Sequence, residues 1–131
     1  MRQYWGEIKD PVHGYVYITE AEKQIIDSYP VQRLRRLRQL AGAEYVYPAA
    51  NHTRFEHSVG VMHLAGLMAE NPYLSKHFND NQYQLIRIAA LLHDVGHGPF
   101  SHVYEHLLVK FLNKTLDDIN ASRAEIEMIG P

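Results

Sequence analysis

The sequence predicts an all-α helical bundle with a small N-terminal β hairpin. Two Thr-x-x-Glu spacings, Thr19–Glu22 and Thr53–Glu56, have the form of capping boxes at helix starts. A long apolar run through Ile86, Ile88, Ala89, Ala90, Leu91 and Leu92 ends abruptly in His93-Asp94-Val95-Gly96. The β-branched and aromatic stretch Tyr15-Val16-Tyr17-Ile18 follows the turn residues of Lys9-Asp10-Pro11-Val12-His13-Gly14, the pattern of a hairpin.

In chain order, the first capping box opens a helix expected to reach about Ser28. Pro30 suits the first turn of the next helix, which is expected from Val31 to about Leu40, with Val31, Leu34, Leu37 and Leu40 on one side. Gly42 closes it. A short strand is expected at Tyr45-Val46-Tyr47, with both tyrosines in the core. The second capping box opens a helix running to about Glu70, before Asn71-Pro72. Its expected core stripe is His57, Val61, Leu64 and Met68. A further helix is expected from Asn81 to Val95, with Ile86, Ala89, Ala90 and His93 on one face and Gly96 as a left-handed terminator. Ser101 to about Asn113 reads as another helix, and Thr115 to Pro131 as a weakly apolar helical tail.

Composition narrows the class. The 131 residues suit one domain, 1–131, with no internal repeat or linker. There is no cysteine, which excludes disulfides and thiolate chemistry and fits a reducing, cytoplasmic setting. No apolar stretch approaches the ~20 residues of a membrane span. A net charge of -2 argues against a purely electrostatic nucleic-acid binder, although Arg33, Arg35, Arg36 and Arg38 form a local basic run. The nine histidines are the compositional anomaly, because they cluster in two places.

Buried imidazoles and carboxylates are costly unless paired, hydrogen-bonded or metal-bound. His93 and Asp94 at the end of an apolar helix therefore call for a partner. His57, one turn into its own helix, converges on them if the two helices pack antiparallel. Two imidazoles and a carboxylate suit Mn²⁺, Fe²⁺, Co²⁺ or Zn²⁺ better than all-oxygen ions. The bland alternative is a set of core histidines. Arg54 admits two readings, a surface pair with Glu56 or a guanidinium aimed at phosphate. His13, His63 and His77 read as surface or packing residues.

Asn51-His52-Thr53-Arg54-Phe55-Glu56-His57-Ser58-Val59-Gly60 and His93-Asp94-Val95-Gly96-His97-Gly98-Pro99-Phe100-Ser101-His102 resemble signature blocks of the HD superfamily of metal-dependent phosphohydrolases. The match is to the deoxynucleoside triphosphate triphosphohydrolase branch, and Asp10-Pro11-Val12-His13-Gly14 and Gln32-Arg33-Leu34-Arg35 fit it too. The resemblance covers roughly residues 8 to 108. It implies an HD-domain bundle whose His57, His93 and Asp94 hold a divalent ion, with Mn, Fe, Ni, Zn or Mg as candidates. It also implies hydrolysis of dNTPs to deoxynucleoside and triphosphate. Arg54 would contact phosphate, and Gln39 and Leu40 would line the sugar pocket. His102 and His97 would serve catalysis, with Glu105 where an aspartate usually orients a catalytic histidine. Asp27, Gln32 and Arg35 match residues that read guanine at an activating GTP or dGTP site between subunits, so a homo-oligomer is expected.

The sequence also departs from that pattern. The family's fourth ligand is a distant aspartate; Asp117 and Asp118 come much too early to match it. The family's catalytic His-Glu pair is not found after this region, and an asparagine of the activating site is Lys9 here. The chain is therefore expected to be an N-terminal portion holding an incomplete domain. The rival reading is a catalytically impaired fragment serving as a nucleotide-binding or oligomerisation module. Cyclic-nucleotide or (p)ppGpp hydrolysis and single-stranded nucleic-acid binding rank below it.

Overall fold

The computed structural model of the chain describes residues 3–99 and 104–115. They fall into two compact units, residues 1–96 and 97–131. His102, Asp117, Asp118 and the expected tail helix lie outside the described residues.

The first unit begins with the expected hairpin. Strands β1 (Gly6–Asp10) and β2 (Gly14–Ile18) pair antiparallel, with Gly6 opposite Ile18 and Asp10 opposite Gly14. Asp10 closes the turn by accepting the backbone N–H groups of Val12 and His13, both at 2.8 Å. Gly14 takes the left-handed φ of +76° that the turn requires. Alternation then buries Val16 and Ile18 and leaves Tyr15 and Tyr17 outside.

Helix α1 (Glu20–Ile26) starts at the predicted capping box, with Thr19 and Glu22 bonded reciprocally. The helix expected from Val31 to Leu40 is much shorter. Helix α2 (Tyr29–Arg33) tightens into a 3₁₀ turn, Leu34–Arg36, and Leu37 is extended. The cause is a competing backbone partner. Leu37 O accepts Arg54 N–H at 2.8 Å, Gln39 N–H donates to His52 O at 3.2 Å, and Arg38 bridges to Thr53. Val31 and Leu34 keep their predicted core places, but Leu40 is exposed. The strand expected at Tyr45-Val46-Tyr47 is instead a 3₁₀ turn, Ala43–Tyr45, that follows Gly42 at φ +72°. Tyr45 and Tyr47 are exposed and not core residues, because no strand partner holds them inward.

Helix α3 (Arg54–Glu70) starts at the second predicted capping box, Thr53–Glu56. Helix α4 (Asp80–Leu92) has a third box, Asn79–Gln82, and His93 is its C-cap. Gly96 is not the expected left-handed terminator. The helix closes earlier, in a turn that carries Val95 N–H to Leu92 O at 3.0 Å. His57 meets His93, while the Gly66 turn faces Arg87 and Tyr83, so α3 and α4 run antiparallel. The core joins Val16, Ile18, Ile26, Val31, Leu34, Phe55, Val59, Met62 and Leu91.

The predicted stripes need correction. On α3 the buried line is Phe55, Val59, Met62, Gly66 and Ala69, whereas Leu64 and Met68 are exposed. On α4 it is Tyr83, Arg87 and Leu91, whereas Ala89 and His93 are exposed. Both helices are apolar on more than one side, so packing partners set the rotation and an apolar count does not. Arg87 escapes such a count altogether because it is charged.

In the second unit, helix α5 (104–115) continues two residues beyond the expected end. The Tyr104 ring lies over Gly98 and leaves no room for a Cβ there.

Candidate metal centre

His57, His93 and Asp94 come together, each offering a ligand atom within 4.8 Å of the others. The capping box places His57 one turn into α3, and the end of α4 places the other two. The His57 and His93 rings meet edge-on with centroids 5.2 Å apart. Asp94 Oδ1 lies 3.2 Å from His93 Nε2, and Oδ2 lies 3.9 Å from His57 Nε2. His93, expected on the core-facing side of α4, is exposed at the rim, and Asp94 is buried.

The chemistry of this donor set fits a divalent ion. His93 Nδ1 lies 2.6 Å from Ala90 O. A carbonyl only accepts, so Nδ1 is the donor there, and in the neutral ring Nε2 is then the nitrogen whose lone pair can meet a metal, the arrangement that orients metal-binding histidines. Burial lowers the pKa of His57; Asp94 opposes that shift, while His93, Arg54 and His52 reinforce it. The neutral, ligating form is thereby favoured. A cavity of about 370 Å³ adjoins His57, lined by Val12, His13, His52, Val61 and Leu64 among others. That is room for part of a small-molecule ligand.

Arg54 does not form the surface pair with Glu56. It is buried, and its Nη1 donates to Asp94 Oδ2 at 2.6 Å. Glu56 is instead engaged in the capping box with Thr53. Gln39 is tied by its backbone to His52, just before α3, and Leu40 is exposed beyond it. In the second unit His97 Nδ1 contacts Glu105 Oε1.

The three expected guanine-reading residues lie apart from this centre. Gln32 donates to Ile26 O at 2.8 Å and accepts from Arg35 Nε at 2.8 Å. The Arg35 guanidinium also stacks on Phe55, 3.6 Å from the ring centroid. A groove of about 240 Å³ is lined by Tyr29, Gln32, Arg33, Arg35 and Arg36, and a second, of about 320 Å³, includes Lys9 and Arg35. Asp27 is exposed and paired with Lys23 at 3.5 Å.

The sequence reading missed several contributors. Ala90 O acts through its backbone and has no sequence signal. His52 and His13 line the cavity although they lie outside the helix stripes. His13 also packs against His63, with ring centroids 5.2 Å apart and planes tilted by 51°, so the expectation of a packing role for both is met. Among the described residues no helix is long and apolar enough to cross a membrane.

Comparison with known proteins agrees with this geometry. The HD domain family matches residues 54–126, a span that contains all three candidate ligands and covers more than half of the chain. An uncharacterised protein of Methanocaldococcus jannaschii is 47% identical over 98 residues, covering 75% of this chain and 20% of its own length. The deoxynucleoside triphosphate triphosphohydrolase SAMHD1 of Homo sapiens is 43% identical over 103 residues, covering 75% of this chain and 16% of its own. A Dictyostelium discoideum homologue of that enzyme is 36% identical over 129 residues, covering 85% and 25%. The chain thus spans a quarter or less of each of these three relatives. A crystal structure of a hypothetical protein from Aquifex aeolicus superposes with a TM-score of 0.67 at 46% identity, over 78% of this chain and 26% of that one.

Proposed function

The chain belongs to the HD-domain family, and on that premise we propose that it is a metal-dependent phosphohydrolase acting on deoxynucleoside triphosphates. The products would be deoxynucleoside and inorganic triphosphate. The observation that carries this reading is the convergence of His57, His93 and Asp94, with His93 Nδ1 held on Ala90 O. Similarity to deoxynucleoside triphosphate triphosphohydrolases supports the substrate class.

His57, His93 and Asp94 would hold the ion. When bound, it supplies Lewis-acid polarisation of a phosphoryl oxygen and a water of lowered pKa. Arg54 would place guanidinium N–H groups on the phosphate chain; with five donors it can do so while one nitrogen stays on Asp94. Gln39 and Leu40 would border the sugar. His97, held by Glu105, and His102 would supply general acid and base chemistry. Asp27, Gln32 and Arg35 would bind GTP or dGTP as an activator between subunits of a homo-oligomer. The setting would be cytoplasmic.

The second reading is a nucleotide-binding or oligomerisation module with impaired turnover. It is favoured by the three-membered ligand set, to which no fourth carboxylate is added among the described residues. One experiment separates the two: release of inorganic triphosphate from dGTP with Mn²⁺, comparing this chain with His93→Ala. Turnover lost on His93→Ala supports the enzyme. Retained nucleotide binding with no turnover in either protein supports the module. Equal turnover in both would overturn the proposed centre.

A further inference from the structure

Arg54 is built to do something more local than meet a phosphate. Its backbone is fixed twice, by the Thr53–Glu56 capping box and by donation of its N–H to Leu37 O at 2.8 Å. Its side chain is 3% exposed and reaches Asp94 Oδ2 at 2.6 Å. Asp94 lies just past His93, the C-cap of α4. With Oδ2 held by Arg54, Oδ1 is left facing His93 Nε2 at 3.2 Å.

We propose that Arg54 is a positioning residue for the metal centre, holding Asp94 Oδ2 so that Oδ1 is presented beside His93 before any nucleotide arrives. The proposal rests on the metal-binding reading given above. Two effects oppose each other. A guanidinium beside the site repels a cation and competes for one carboxylate oxygen. It also holds the ligand at a useful angle, and contacts of that kind typically raise metal affinity by ~10–100-fold. Orientation wins here because Arg54 meets Oδ2 while Oδ1 faces His93, and Arg54 is itself held at both backbone and side chain. A residue serving phosphate alone would leave metal affinity unchanged in the absence of nucleotide.

The test is a Mn²⁺ titration of nucleotide-free protein, with His93→Ala as the baseline. Arg54→Met is expected to bind ~10–100-fold more weakly than wild type. Arg54→Lys, which keeps a cationic N–H donor group, should recover most of that loss, and melting curves check that each variant folds. Should Arg54→Met not fold, Arg54→Gln takes its place and is also expected to bind more weakly. Met or Gln variants equal to or tighter than wild type would overturn the positioning role. Wild type binding no better than His93→Ala would overturn the metal reading instead.

Discussion

Glu22 and Arg87, 65 residues apart, close a two-pronged ion pair inside the first unit, with side chains 0% and 4% exposed. Arg87 Nε meets Oε1 at 2.6 Å and Nη2 meets Oε2 at 3.0 Å, while Nη2 also donates to Tyr17 O at 2.7 Å. Gln84 adds an amide donor to Oε1 at 2.9 Å. The pair therefore joins α1, β2 and α4, the same α4 that leads into the candidate ligands His93 and Asp94.

Removing one partner should cost far more than removing both. Arg87→Met leaves a buried carboxylate unpaired and is expected to destabilise by about 3–5 kcal/mol. The Glu22→Leu, Arg87→Met double variant is expected to recover a large part of that. Urea unfolding of the two variants checks this, and a double variant as unstable as the single one would refute it.

The pair also sets a pH dependence. Burial alone would raise the Glu22 pKa, but hydrogen bonding and charge from Arg87 outweigh it and hold the group below its usual 4.5. A carboxyl lowered in the folded state adds stability above its unfolded pKa and loses it as pH falls through the folded one. The melting temperature should therefore drop below about pH 4.5. In the Glu22→Leu, Arg87→Met variant that drop should be smaller, as melting curves from pH 7 to 3 would register.

Gly66 is expected to be intolerant of a side chain. A Cβ there would lie 2.6 Å from Arg87 Nη1 and 3.0 Å from the Tyr83 hydroxyl. Arg87 is held by Glu22 and Tyr17 and cannot swing away cheaply. Gly66→Ala should thus cost on the order of 1–3 kcal/mol, the usual range for overpacking. Gly6→Ala, with open space around it, should stay within about 0.5 kcal/mol. Chemical denaturation midpoints of equal size for the two would contradict the packing argument.

Guanine nucleotide binding at Gln32 and Arg35 is expected to raise the melting temperature in millimolar GTP. Saturation at 100 times the dissociation constant corresponds to about 2.7 kcal/mol. Arg35→Ala removes both the guanidinium stacked on Phe55 and the partner of Gln32, and should abolish the shift. Unchanged melting of wild type in GTP would remove this site from the functional proposal.

The residues that were legible in the sequence act locally or through a spaced pattern. Thr19–Glu22 and Thr53–Glu56 set helix starts by contacts three residues apart, and the hairpin follows from alternation and turn chemistry. Asn79–Gln82 carried the same capping signal with amide side chains and was missed, so α4 begins a residue before its expected start. His57, His93 and Asp94 were identifiable because metal chemistry restricts the donor types and the helix ends restrict their places.

What the sequence determined by itself was the starts of α1 and α3, the hairpin, the HD family and the identity of the three candidate ligands. The tertiary structure decided which of the doublet is buried, where the second helix stops and what Arg54 touches. Leu37 and Gln39 leave the helix because backbone partners near Thr53 outbid continuation of the spiral. Arg87 faces the core because Glu22 waits there, and Asp94 is buried because Arg54 meets it. Each of these outcomes depends on a partner some 13 to 65 residues away. Local propensity and periodicity carry no information about partners so distant, because burying a charge is favourable only once its counterpart has arrived.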